Sequence, residues 1–280
     1  MTNRLLGVFS LIAMLAVNAA LLICDVFPYS LSGEPPQPIG LSLEPNQTIV
    51  SQLGIFKGDH ERIGWSWTTN RRSLDGQLTM RSATVIADIV IQGLSLPSLR
   101  IDSHTHYNVA NELDTISIDV SGLPYKIELK GDLVPPDQFP CAWTVGSQSG
   151  SFLLNARATR ALGDAVRPFD GLKDLHVGQT WRLQLINPLA EVVPGFGQGF
   201  SPDAVLARVT RREKLQTEAG LVDTLVIEAQ AMHAWVGLDG RVLRQEIEMP
   251  VLGRLILEEE PYDEMTKKLV LEGNPSSRPD

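Results

Sequence analysis

The chain has 280 residues, with 24 Lys+Arg against 33 Asp+Glu and a formal net charge of −9 at pH 7. That acidic balance leaves no electrostatic footprint for nucleic acid and repels anionic lipid headgroups. Two cysteines, Cys24 and Cys141, are too few for a disulfide framework, and a chain of this length buries a core without one.

Residues 5–24, LLGVFSLIAMLAVNAALLIC, carry no charge. At about 1.5 Å per residue such a run spans roughly 30 Å of hydrocarbon. Arg4 precedes it and no Lys or Arg follows until Lys57. This asymmetry leaves the N-terminus in the cytoplasm and exports the bulk of the chain. The run exceeds the roughly 7–15 residues of a signal h-region, so an uncleaved anchor over residues 1–24 is expected over cleavage at 17–19 or lipidation of Cys24. Residues 25–58 carry Pro28, Pro35, Pro36, Pro38 and Pro45 without apolar periodicity and read as a semi-stiff stalk.

From Glu61 the period is two, with Ile63, Trp65 and Trp67 on one face and an Asp75-Gly76 turn after them. Alternating runs follow at 77–92, 99–108, 112–120, 125–131, 141–145 and 152–156, separated by Gly, Pro and Asn. They predict an antiparallel meander. Residues 159–166 fit a short helix stopped before Pro168. Strand character resumes through 185, and 187–202 is a long Gly/Pro loop carrying Phe196 and Phe200. Strands are then expected at 204–214, 221–229, 232–237, 242–248 and 253–259, and a disordered tail at 261–280. The domain at 59–260 is therefore all-β, with one short helix and an N-terminal transmembrane helix before it. About a dozen strands do not stay flat, so the expectation is a strongly curved antiparallel sheet or half-open barrel.

The best-defined local unit is MHAWVGLDGRVLRQEIEM at 232–249. A two-residue Asp239-Gly240 turn places Leu238 opposite Arg241, Val236 opposite Leu243 and Met232 opposite Ile247. The other face then sets Trp235 opposite Arg244 and His233 opposite Glu246, as a decorated outer surface or as a ligand-contacting wall. Cys141, in Phe-Pro-Cys-Ala-Trp, reads as a buried thiol.

Other motifs offer less chemistry. Asp102-Ser103-His104-Thr105-His106 resembles the Asp-x-His-x-His opening of metal-dependent amidohydrolases, and a strand points both histidines the same way. That family alternates strands with long helices, which this sequence lacks. Solvent-facing histidines are expected, and a metal-dependent hydrolase using His104 and His106 is a remote alternative. Gly195-Phe196-Gly197-Gln198-Gly199 misplaces the third glycine of a dinucleotide loop, and Gly146-Ser147-Gln148-Ser149-Gly150 has Gln where a nucleophile elbow needs Ser. No catalytic residue, metal ligand or cofactor is assigned.

With GWSWTT at 64–69, LHVGQTW at 175–181 and AWVGLDGRVLRQE at 234–246, the chain resembles uncharacterised bacterial envelope proteins. These pair one membrane anchor with a β-rich domain similar in shape to the periplasmic lipoprotein carriers. The resemblance covers roughly residues 60–260 and implies a single-pass protein of the bacterial inner membrane with its bulk in the periplasm. It implies a non-enzymatic binding or accessory module for an apolar or lipid-like ligand, or else a structural subunit of an envelope or transporter complex. Partners are then the bilayer through residues 5–24 and an apolar ligand or an envelope protein. A curved sheet of this size has more concave area than its own side chains readily fill. The ligand site is accordingly expected at Trp65, Trp67, Phe196 and Phe200, with Trp235 and Arg244 as further contacts.

Overall fold

The computed structural model describes residues 14, 33, 36, 43–58, 61–91, 94–123, 125–134, 138–155, 167–185, 203–218, 220–249 and 253–264. The expected helix at 159–166, the 187–202 loop, nearly all of the tail and all of the 5–24 run except the helical Met14 lie outside these residues.

The first meander comprises β1 (Thr48–Lys57), β2 (Glu61–Arg72), β3 (Leu78–Ile91), β4 (Leu94–Tyr107), β5 (Leu113–Ser121), β6 (Ile127–Asp132), β7 (Gln138–Val145) and β8 (Gln148–Asn155). The second comprises β9 (Thr180–Leu185), β10 (Asp203–Thr217), β11 (Gly220–Ala229), β12 (Met232–Gly237), β13 (Val242–Met249) and β14 (Gly253–Glu260). All fourteen form one antiparallel open sheet, in the order β8-β7-β6-β5-β4-β3-β2-β1-β14-β13-β12-β11-β10-β9. The two meanders thus run outward from a shared seam, where β1 pairs with β14 from Gln52↔Glu260 to Lys57↔Leu255.

Partners in register share a face of the sheet. One such row runs Val209–Ile227–Ala234–Gln245–Leu257–Ile55–Gly64–Ile86–Leu99. Every member is buried. Side chains of this face pack on one another and, in the second half of the sheet, on Phe169 and Leu172, which belong to no strand. Two apolar clusters line that inner face. One gathers β1–β7 and β14 around Leu53, Leu99, Val120 and Phe139, each fully buried, and the other gathers β9–β13 around Trp181, Val209, Ile227 and Ala234.

The expected stalk at 25–58 needs correction. Thr48–Lys57 is a central strand, Leu43 is buried in the first cluster, and the Gly33 amide donates to Thr180 O at 2.8 Å, bridging the edge strand β9. The strand escaped the period-two reading because it is buried on both faces. Gln52 is 3% exposed and its Oε1 accepts from the Asp263 amide, while Gly54 leaves room for side chains across it. A Cβ there would lie 2.4 Å from Glu260 Oε1.

The 232–249 hairpin keeps most of its expected register: Met232↔Ile247, His233↔Glu246 and Trp235↔Arg244. Its turn differs. The Gly240 amide donates to Gly237 O and the Gly237 amide to Arg241 O, closing a three-residue loop with Gly240 at φ +85°. Val236 therefore meets Val242, and Leu243 bulges out of register to restore the pairing at Trp235. Ser73–Gln77 repeats the device, with Gly76 at φ +89° in place of a two-residue turn. Gly240→Val should cost more than about 1 kcal/mol, because a β-branched residue resists positive φ. The partly exposed Arg244→Ala should cost less than about 1 kcal/mol. Urea midpoints of the solubilised full chain check both; a Gly240→Val midpoint equal to wild type contradicts the loop.

Candidate functional site

The outer face carries a second row, Arg211–Val226–Trp235–Arg244–Glu258–Gly54–Trp65–Val85–Arg100. Three expected site residues, Trp65, Trp235 and Arg244, share it. The Arg244 guanidinium lies 5.7 Å from the Trp235 ring and pairs with Glu258 at 2.9 Å and Glu246 at 2.8 Å. Burial pushes the Glu246 carboxyl up, but hydrogen bonds from Arg254 and Arg244 overcome this and hold it below its ordinary range. Arg62 stands 5.4 Å from the Trp65 ring and 4.8 Å from Phe56, and donates to Glu260 at 3.0 Å.

Trp65 and Trp67 therefore do not line the interior; with Val50, Ala83 and Val85 they form a small separate cluster. Their placement follows from one bulge. Ile55 pairs with Gly64 and Phe56 with Arg62, leaving Ile63 as the extra residue. Ile63 turns into the first core while Trp65 and Trp67 face away, so the alternation that grouped the three breaks at Ile63. Phe196 and Phe200 lie outside the described residues.

His106 has both ring nitrogens engaged, Nδ1 with Asp114 at 3.2 Å and Nε2 with Gln77 at 3.1 Å. His104 is exposed, and partial burial of its ring and the Arg81 charge lower its pKa. Among the described residues no three His, Cys, Asp or Glu side chains converge on a metal position. Cys141 is fully buried, and burial pushes its thiol up to about 12. Tyr107, 1% exposed, is likewise raised by burial to about 12, and its hydroxyl has no hydrogen-bond partner among the described residues.

The interior holds what the sequence reading missed. Residues 167–172, Arg-Pro-Phe-Asp-Gly-Leu, belong to no strand and lie inside the roll. Phe169, fully buried, and Leu172 pack in the second core against its β-strand side chains. Arg167 is 1% exposed and reaches the opposite way, donating to Thr68 Oγ1 and Ser51 Oγ at 2.8 Å each and pairing with Asp170. The Asp170 carboxylate also accepts from Ser51 Oγ and the Val242 amide, each at 3.3 Å, and the Gly171 amide donates to Gly240 O. Hydroxyl pairs continue this polar belt across the inner face, Ser66 with Thr84 at 2.9 Å and Ser82 with Ser103 at 3.0 Å. Beside it Glu259 pairs with Arg241 at 2.7 Å; burial raises its pKa, and the nearby Asp239 and Asp170 charges add to the rise. The sequence signal was an Arg and an Asp three apart around Pro-Phe, in a stretch without alternation.

The chain is thus an all-β protein of one fourteen-stranded antiparallel open sheet, with a buried ion pair and hydroxyl pairs on the same face as its two apolar cores. No family model matches it, and no curated protein does. Among solved structures it is similar to a β-barrel-like protein of a domain of unknown function, DUF1849, from Brucella abortus. That similarity has a TM-score of 0.45 and 10% identity, covering 77% of this chain and 97% of that one.

Removing one partner of the buried pair leaves the other charge uncompensated. Arg167→Met and Asp170→Asn should each cost about 3–5 kcal/mol, and the double variant less than their sum. Additive losses in urea unfolding contradict the clamp. Glu259 tests the belt by pH. Its folded pKa is raised, so its contribution is fully present below the ordinary carboxylate range and is lost as pH rises through the folded value. Glu259→Gln should therefore match wild type near about pH 4 and gain on it toward about pH 7. A midpoint difference that does not change with pH contradicts this.

Proposed function

We propose that the protein is a single-pass, periplasm-facing, non-enzymatic binding module whose rolled sheet accepts an apolar or lipid-like ligand. The observation that carries the reading is the 167–172 segment. It contributes no strand to the sheet, yet its phenyl ring is fully buried against the second core. The roll therefore already holds an apolar group that its own ladder does not supply, which is what a ligand would be. Tyr107 adds a polar mark in the first core: a buried hydroxyl that an ester or carboxyl oxygen would satisfy. The 5–24 run supplies the anchor in this reading.

A second reading, an assembly subunit of an envelope complex, is favoured by one feature. The edge strand β8, QSGSFLLN, carries no charge, and its Leu153 is 62% exposed. Natural edge strands are usually guarded by charge, Pro or bulges against pairing with another chain. One experiment separates the two. The full chain is placed in lipid nanodiscs containing a lipid with a photoreactive acyl chain. Adducts on inner-face residues such as Val205 and Leu183, increased in the Phe169→Ala/Leu172→Ala variant, support the ligand module. Adducts confined to residues 5–24, with protein cross-links at β8 in native membranes, support the assembly subunit instead.

A further inference from the structure

The hairpin of β10 and β11 is longer than the strands on either side of it. β9 accompanies β10 only from Asp203↔Leu185 to Arg208↔Thr180, and beyond that the Gly178 amide donates to Val209 O as the chain turns. β12 accompanies β11 only as far as Thr224↔Gly237, where the chain turns into β13. The hairpin itself stays in register from Arg211↔Val226 to Thr217↔Gly220. Past Thr224 it is a two-stranded ribbon, about 14 Å long at roughly 3.4 Å per residue. A bulge at Thr210 marks its root and re-aims it relative to the sheet.

Antiparallel partners alternate between pairs bonded to each other and pairs whose amides and carbonyls turn away. The two-residue turn after Thr217 makes Thr217↔Gly220 a bonded pair, and with it Leu215↔Val222 and Glu213↔Thr224. Arg212, Lys214 and Gln216 therefore turn their amides and carbonyls away from β11, and all three are exposed. Among the described residues no strand pairs with that edge.

The side chains favour one occupant. On the side continuous with the outer face, Leu215 stands beside Val222 and both are half-buried, a pair that two strands alone do not cover. A second ribbon of the same sequence, antiparallel about Leu215, sets Leu215 against its own copy and makes a row Val222–Leu215–Leu215–Val222 across four strands. The same register sets Arg212 against Glu218 and Lys214 against Gln216, with Asp223 on the other side of Lys214. Centring on Lys214 or Glu213 stacks like charges, and centring on Gln216 breaks the apolar row. Arg and Lys ordinarily guard an open edge against pairing. Here they admit one register and oppose its neighbours.

We infer that the chain associates with a second copy through this ribbon, β10 against β10 about a twofold axis at Leu215. The surface is separate from the uncharged edge of β8 and needs no ligand.

The test uses the full chain in detergent, with Cys24→Ser and the buried Cys141 retained. Leu215→Cys is compared with Leu221→Cys on the other strand of the ribbon and Leu238→Cys in the β12–β13 loop, positions 65% and 67% exposed. Under mild oxidation Leu215→Cys should form intermolecular disulfides at least about fivefold faster than the other two, because only there do two copies of one residue meet within disulfide reach. Light scattering should give the mass of two chains, reduced toward one in Glu218→Lys, which sets a lysine against Arg212. The exchange Arg212→Glu/Glu218→Lys should restore it, and unchanged urea midpoints show that the variants fold. A single-chain mass for the wild type overturns the inference. A two-chain mass that Glu218→Lys leaves unchanged, with equal disulfide rates at the three positions, overturns it in favour of association through residues 5–24 or β8.

Discussion

The structure depends on the seam between β1 and β14. Each meander is built from neighbours in sequence, but the two become one sheet only where β1 meets a strand about two hundred residues later. Closing a loop that long is a small added cost per residue, since the entropy grows only logarithmically, yet the seam must still hold. It is reinforced on both faces. Outside, Arg62 pairs with Glu260, Arg244 with Glu258, and Gln52 accepts from the Asp263 amide. Inside, Arg167 binds Ser51 of β1 and Thr68 of β2, while its partner Asp170 accepts from the amide of Val242 at the head of β13. The strand-less segment thus ties the two halves of the sheet from within.

Buried ions are a costly way to do this. Desolvating a guanidinium and a carboxylate costs several kcal/mol each, and apolar replacements often serve stability as well or better. What the pair adds is position. Arg167 and Asp170 sit three residues apart on either side of Phe169, so satisfying both fixes where the phenyl ring enters the second core. The hydroxyls of Ser66, Thr84, Ser82 and Ser103 extend the polar belt without net charge.

Most of the fold was legible because antiparallel strands with one buried face alternate, as β6 and β7 do. The His233–Glu246 and Trp235–Arg244 pairs were readable for the same reason. What failed were single-residue events. The bulge at Ile63 reversed the facing of Trp65 and Trp67, and the bulge at Leu243 absorbed the difference between a two-residue and a three-residue turn. Neither changes composition or period over a window long enough to notice. β1 failed differently: a strand at the middle of the seam is covered on both sides, so Gln52 and Gly54 broke the pattern at its most buried point. The interior clamp was invisible because its partners, Ser51, Thr68 and Arg167, share no local motif. Only the rolled sheet brings them together.

The clamp also reaches one turn of the sheet. Gly171 donates its amide to Gly240 O in the β12–β13 loop, beside the Val242 amide that donates to Asp170. The segment carrying Phe169 is therefore held to β1 and β2 through the Arg167 guanidinium and to the head of β13 through Asp170 and Gly171. Moving the phenyl ring out of the second core would break both sets of bonds together, so the polar contacts and the apolar contact are lost or kept as one unit.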